Sequence, residues 1–254
     1  MNKSLNSLGL MSGTSGDGVD ASVINSDGKG YYKVLINKYF KYSDEISQNI
    51  YKLKRNINNI EDVKIFSTDI NDLERKITLF HSNVVSEFTK KKDFGIDLIG
   101  FHGQTILHSP KNKYSKQLGD GNLLSQLSKK KVIFNFRQND LFQGGEGAPL
   151  SPIFHQLIVK EKKIDLPVCI LNIGGISNLT LIKDFKDESL ISKDIGPGNC
   201  LIDEWIRRNK KGNYDRNGEF ASQGKTNKLI LDQALDDFEN IPANNLNSFD
   251  VNDF

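Results

Sequence analysis

Five short segments of the chain set glycines beside hydroxyls, carboxylates, carboxamides or a guanidinium, the groups that hold anions and move protons. Ser12-Gly13-Thr14-Ser15-Gly16-Asp17-Gly18 lies between two short apolar runs. Glycines let the backbone turn tightly, so that successive amides can face an anion, and Thr14 and Ser15 add hydroxyl donors. Asp17 or Asp20 could hold a divalent cation such as Mg2+, directly or through water. The Gly-Lys-Ser/Thr element of a Walker loop is missing, and the spacing and lack of an immediate helix exclude the dinucleotide fingerprint. The same composition also builds a plain turn.

Phe101-His102-Gly103-Gln104-Thr105 closes a predicted strand, where polar groups meet ligands, though a capped loop with a satisfied histidine has the same letters. Arg137 and Asp140 precede Gly144-Gly145-Glu146-Gly147-Ala148-Pro149. Arginine suits a carboxylate, and the glycine run either leads into an anion-friendly helix start or supplies a loop needing positive φ. Asn172-Ile173-Gly174-Gly175-Ile176-Ser177-Asn178 repeats the strand, glycine turn, strand logic of the start. Asp194 opens a further glycine turn, Asp194-Ile195-Gly196-Pro197-Gly198-Asn199. A carboxylate beside amide-lined turns can deprotonate water or a hydroxyl. An N-cap is the plainer role, but Asp194 stands far ahead of the next helix.

The elements that must position these groups follow from periodicity. Leu8 to Met11, Ala21 to Ile24 and Tyr31 to Phe40 read as strands of an antiparallel meander. Asp44 to Lys92 is helical, with Ile65, Leu73, Ile77, Phe80, Val84 and Phe88 recurring at helical intervals. Strands at Asp97 to Phe101 and Val132 to Phe136 flank a helix from Gly119 to Ser128, and Pro149 to Lys162 is helical. Val168 to Ile173 is a buried strand, with Asn178 to Ile182 its hairpin partner. Leu190 to Ser192 is strand-like, and helices follow at Asn199 to Asn209 and Lys225 to Asp237. The fold class is α/β with two lobes, divided between Lys163 and Leu166. Two glycine units facing one cleft would clamp a phosphate chain from both sides.

The bulk composition excludes several classes. Among 254 residues, 37% are hydrophobic and 26% charged, with a formal charge of +2, too balanced for a nucleic-acid binder. Lys90 to Lys92 and Lys129 to Lys131 read as solvated helix ends. Cys169 and Cys200 sit in apolar surroundings and read as reduced and buried, and the four histidines lack zinc spacing. No apolar run approaches the roughly 20 residues of a membrane span, and the start lacks a signal-peptide core. The expected location is the cytoplasm, with no nucleic acid or membrane partner.

MSGTSGDGVDA, IGFHGQTILH, NFRQNDLFQGGEGAPLSPIFH, LNIGGISNLT and DIGPGNCLID, in this order, resemble the anhydro-N-acetylmuramic acid kinase family. The resemblance runs from residue 8 to the end of the chain. It implies an actin-like, sugar-kinase ATPase fold with a lobe over 1–165 and part of a second lobe over 166–254. It implies ATP with Mg2+, water opening of the 1,6-anhydro bond of the amino sugar, and phosphorylation of the freed 6-oxygen.

On the family pattern, Gly13, Thr14, Ser15, Gly16, Asp17, Gly18, Val19 and Asp20 form the phosphate loop. Gly174 and Gly175 meet phosphates from the second lobe, and Asp194 is the general base. His102, Gln104 and Arg137 line the sugar site, with Arg137 facing the lactyl carboxylate. Asn135 stands where the family has aspartate, Ile195 where it has threonine, and Asn247 and Val251 where it has lysine and arginine.

The family continues past Phe254, so the second lobe is expected to be incomplete. A homodimer or a separately encoded C-terminal piece is then a candidate partner. A silent sugar- or nucleotide-binding remnant and a weak anhydro-sugar hydrolase are the alternatives to a kinase.

Overall fold

The computed structural model describes residues 4–13, 15–90, 95–186 and 189–239. The chain divides into two compact units, Met1–Ala148 and Pro149–Phe254.

The first unit begins with the expected meander: β1 (Leu5–Met11), β2 (Gly18–Ser26) and β3 (Tyr32–Lys41), all antiparallel. Alternation sets its inner face, since Leu8, Leu10, Val19, Ala21 and Val23 are buried while Asp20 is exposed. The β2–β3 turn is built by Asp27, whose carboxylate accepts the N–H groups of Lys29, Gly30 and Tyr31 at 3.0–3.1 Å. Those bonds hold its pKa below the usual carboxylate range.

Helix α1 (Asp44–Asn56) starts on Ser43, whose hydroxyl accepts from the Ile46 N–H, and turns Ile46, Ile50 and Leu53 inward. Helix α2 (Ile60–Ile65) opens with a reciprocal Asn59–Asp62 capping box. Helix α3 (Ser67–Thr89) buries Ile70, Leu73, Ile77, His81, Val84 and Phe88 along one stripe. Ile65, counted with this stripe from the sequence, is exposed because α2 ends there and the chain turns at Phe66.

β4 (Leu98–Phe101) then pairs parallel with β1. A hairpin follows that the sequence did not announce, β5 (Gln104–Ser109) with β6 (Tyr114–Leu118). Its turn needs Lys113 at φ 51°, with no glycine to signal it. Helix α4 (Gly121–Ser128) is capped by Asp120 and ends on left-handed Lys129. β7 (Lys131–Phe134) pairs parallel with β4, and a short α5 (Gln138–Phe142) follows. The five-stranded sheet runs β3-β2-β1-β4-β7, a mixed sheet within an α/β unit. Glu74 of α3 ties the hairpin to this core, accepting from Lys116 Nζ at 2.9 Å and the Gly119 N–H at 3.1 Å.

The second unit holds α6 (Pro152–Lys162) and a three-stranded antiparallel sheet in the order β10-β9-β8. Its strands are β8 (Val168–Ile173), β9 (Ile176–Ile182) and β10 (Leu190–Pro197). Helices α7 (Cys200–Arg208) and α8 (Lys228–Glu239) follow. Helix α6 belongs with this sheet, because His155 Nδ1 meets the buried Thr180 hydroxyl of β9 at 2.9 Å.

Two expectations fail here. β8 is not buried: it lies at the sheet edge with Leu171 54% and Ile173 59% exposed. Cys169 on the same strand is exposed too, while Cys200 is buried, as expected. Among the described residues, no helix is long and apolar enough to cross a membrane.

The two units therefore differ in how much each apolar side chain contributes. Leu8→Ala, at 0% exposure in the central strand, should cost about 2–5 kcal/mol in urea unfolding, while the exposed Leu171→Ala should stay within about 0.5 kcal/mol.

Candidate active site

Parallel pairing of β1 with β4 and of β4 with β7 puts Leu10 beside Phe101 and Phe101 beside Phe134. The chain leaving each strand's carboxyl end therefore emerges at one edge of the first unit. Ser12, Gly13, residues 15–17, 102–104 and 135–137 meet there.

The first loop is held closely. The Gly13 carbonyl accepts from the Gly16 N–H at 3.2 Å and from Gln104 Nε2 at 2.9 Å. Gly16 has φ +65°, and a Cβ there would sit 2.8 Å from Ile50 of α1. Only glycine turns the loop this tightly against the helix. The Asp17 carbonyl accepts from the Tyr42 N–H at 2.9 Å, and its carboxylate accepts from the Ser15 hydroxyl.

The placements sort the predicted loop residues. Ser15, Asp17 and Asp20 are exposed, Gly13 is half-buried, and Gly16 and Gly18 are buried. Val19 turns its side chain wholly into the core. Thr14 lies outside the described residues, as do Asn247 and Val251. Gln104 is wholly buried, and its Oε1 has no partner among the described residues. Its amide nitrogen grips the loop backbone.

His102 and Arg137 do meet. Arg137 Nη2 donates to His102 Nε2 at 2.8 Å, and Arg137 Nη1 donates to the Gly147 carbonyl at 2.7 Å. An arginine only donates, so Nε2 must be the bare nitrogen. The proton then sits on Nδ1, which donates to the Gly103 carbonyl at 2.8 Å. Burial, and next the Arg137 charge, push the His102 pKa down to about 4, so the ring is neutral. Burial lowers the Arg137 pKa as well, and no carboxylate pairs with its guanidinium among the described residues. A buried cation in that state favours an anion.

The Gly144–Gly147 loop is shaped by Asp140, which takes the Gly147 N–H at 2.6 Å on its carboxylate and the Gly145 N–H at 2.9 Å on its carbonyl. Asn135 has φ 59°, a left-handed conformation that asparagine tolerates well.

In the second unit, Gly174 and Gly175 form the β8–β9 turn. Their carbonyls accept the N–H groups of Gly198, Asn199 and Cys200 at 2.8–3.1 Å. The amides of Gly198, Asn199 and the first α7 residue, Cys200, are thus spent on the turn. A Cβ on Gly198 would collide with the Gly174 carbonyl. Asp194 is half-buried on β10, next to a register shift between Asp194 and Gly196. It pairs with Asn178 on β9, which pairs with Asn172 on β8. In-register partners share a face, so two carboxamides and one carboxylate form a polar row. Sequence reading noted both asparagines only as part of a turn motif; their separation by six residues across a two-glycine hairpin was the signal.

Sequence reading also missed Ser12, Tyr42 and His81, which lie buried beneath the first loop. His81 interrupts the apolar stripe of α3, and that interruption was the available signal.

The family model for anhydro-N-acetylmuramic acid kinase matches residues 5–243. The chain belongs to that family. Among curated relatives, the anhydro-N-acetylmuramic acid kinase of Pelagibacter ubique strain HTCC1062 is 53% identical over the whole of this chain, which spans 68% of that protein. The Haemophilus influenzae strain KW20 relative is 36% identical over 93% of this chain and 60% of its own length. The Rhizobium etli strain CFN 42 relative is 35% identical over 90% and 62% respectively. The mixed sheet and its glycine loops are thus the fold of a sugar-kinase family.

The neutral histidines set an acid limit on stability. His81, wholly buried, also has its pKa pushed down to about 4, by burial first. Unfolded histidine takes its proton near pH 6.5, so between there and pH 4 the unfolded chain binds more protons. Stability is therefore present above pH 6.5 and is lost as pH falls toward 4. Between pH 7.5 and pH 5, urea unfolding should show a loss of up to about 2 kcal/mol per buried histidine. His102→Gln should remove one share of it.

Proposed function

We propose that this chain phosphorylates 1,6-anhydro-N-acetylmuramic acid from ATP, opening the anhydro ring with water to give N-acetylmuramic acid 6-phosphate. The role is peptidoglycan recycling, in the cytoplasm where ATP is supplied. The observation that carries the reading is 53% identity to a curated kinase of that name along the full chain. That similarity also disfavours a silent remnant.

The residues divide the work. The amides of the first glycine loop cradle the ATP phosphates, and the Gly174–Gly175 turn is a second phosphate-binding element. Mg2+ fits a site where exposed Asp17 and Asp20 add one or two carboxylates to ligands from phosphates and water. Among the described residues, no cluster of three or more ligating side chains would hold a metal unaided. When bound, the ion neutralises charge on the phosphates. Arg137, held by His102 and Gly147, takes the lactyl carboxylate of the sugar. Gln104 braces the loop beside that sugar site.

The proton accounting is simple. Asp194 takes a proton from water as its oxygen bonds to the anomeric carbon. The bond from that carbon to O6 breaks, and O6 attacks the γ-phosphorus. The bond to the ADP oxygen breaks in turn, and Asp194 returns its proton to solvent.

Asp194→Asn should reduce sugar-dependent ATP consumption by about 1,000-fold or more while leaving ATP affinity within about twofold, since the base acts in chemistry and not in binding. Equal turnover by this variant would remove Asp194 from the mechanism. Arg137→Lys should raise the KM for the sugar about tenfold with a smaller change in kcat, because an ammonium cannot reproduce the guanidinium fork. Steady-state kinetics on both substrates would read both effects.

A further inference from the structure

Tyr42 touches the first glycine loop at both of its ends. Its hydroxyl lies 2.7 Å from Ser12 Oγ, and its backbone N–H donates to the Asp17 carbonyl at 2.9 Å. Ser12 and Asp17 bracket the turn whose amides would face phosphate. One buried residue therefore fixes where the loop begins and where it ends.

The contact at Ser12 extends deeper. His81 Nδ1 bonds the Ile77 carbonyl at 2.8 Å, and a carbonyl only accepts, so Nδ1 carries the proton. Its bare Nε2 faces Ser12 Oγ at 3.5 Å. The donors then align in one direction: Tyr42 O–H to Ser12, Ser12 O–H to His81. The 3.5 Å step is the weaker of the two. Tyr42 packs edge-on against Phe80 at 4.8 Å and near His81 at 6.2 Å, so its ring is fixed by α3. All three polar groups are sealed from water.

A buried hydroxyl costs stability unless it is bonded, and phenylalanine in place of Tyr42 would keep the same ring contacts. What the hydroxyl adds is a fixed position for Ser12. Loop amides set before the ligand arrives spare the cost of ordering them on binding.

We propose that Tyr42 is a positioning residue for ATP use, holding the Ser12–Asp17 loop in its phosphate-binding shape through Ser12 and Asp17, with His81 as the support behind Ser12. This rests on the reading of that loop as the phosphate loop.

Tyr42→Phe and Ser12→Ala separate this role from packing. In the full chain, hydrogen–deuterium exchange of the amides of residues 12–18 should rise about tenfold in either variant, the factor of one lost hydrogen bond. The melting temperature should stay close to wild type for Tyr42→Phe. Affinity for ATP with Mg2+, by calorimetry, should fall about tenfold, and the KM for the sugar should hold. Unchanged exchange with unchanged ATP affinity would overturn the proposal. Exchange that rises across the whole first unit, with a large fall in melting temperature, would overturn it in favour of a packing role. Faster exchange confined to the loop, in a protein whose wild type takes no ATP, would keep the grip and overturn the phosphate reading beneath it.

Discussion

The parallel register of β1, β4 and β7 is the constraint on which the first unit's site depends. It sets Leu10, Phe101 and Phe134 side by side, so three separate stretches of chain leave the sheet at one edge. Gln104 can then reach the Gly13 carbonyl across 91 residues of sequence, and Arg137 can reach His102 across 35. A slip of one residue in either pairing would turn alternate side chains to the wrong face and separate these groups. The helices serve the same end: α1 presses Ile50 against Gly16, and α3 brings His81 beneath Ser12.

Polar burial is concentrated at this edge. Ser12, His81 and Gln104 are buried, each bonded to another site group or to backbone. Arg137 is half-spent, bonded to a carbonyl and a neutral imidazole, with no partner for Nε among the described residues. An apolar core would be cheaper to build. The arrangement makes sense where geometry and an incoming anion matter more than stability alone. The second unit relies on backbone closure instead, with the Gly174 and Gly175 carbonyls sealing the start of α7 and Asp194 held in a hydrogen-bonded sheet.

Much of this was legible in the sequence because periodicity reports on burial face. The β1–β3 meander, the α3 stripe and the Gly174-Gly175 hairpin follow from alternation, 3.6-residue spacing and turn glycines. The β5–β6 hairpin was not legible: Ile106 and Leu107 break the alternation, and Lys113 makes the turn without glycine. β8 reads as buried because its residues are apolar, but its position at a sheet edge is a property of topology. The motif order exposed the glycine loops and the family, but not side-chain direction. Gln104 bonds the Gly13 carbonyl, and Val19 within the loop motif turns its side chain into the core, directions that no motif reports. Tyr42 and His81 carry no motif at all; only the fold brings them to Ser12.

The central claim, that one carboxylate drives water onto the anomeric carbon while O6 takes the phosphoryl group, is tested most directly by isotope position. The chain would be given the anhydro sugar and ATP in 18O-water, and the product read promptly by mass spectrometry, before the free anomeric hydroxyl exchanges. The account predicts one 18O at the anomeric carbon, none in the phosphoryl group, and one ADP per sugar opened. Label appearing in inorganic phosphate, with the sugar intact, would mean that water attacks ATP and would contradict it.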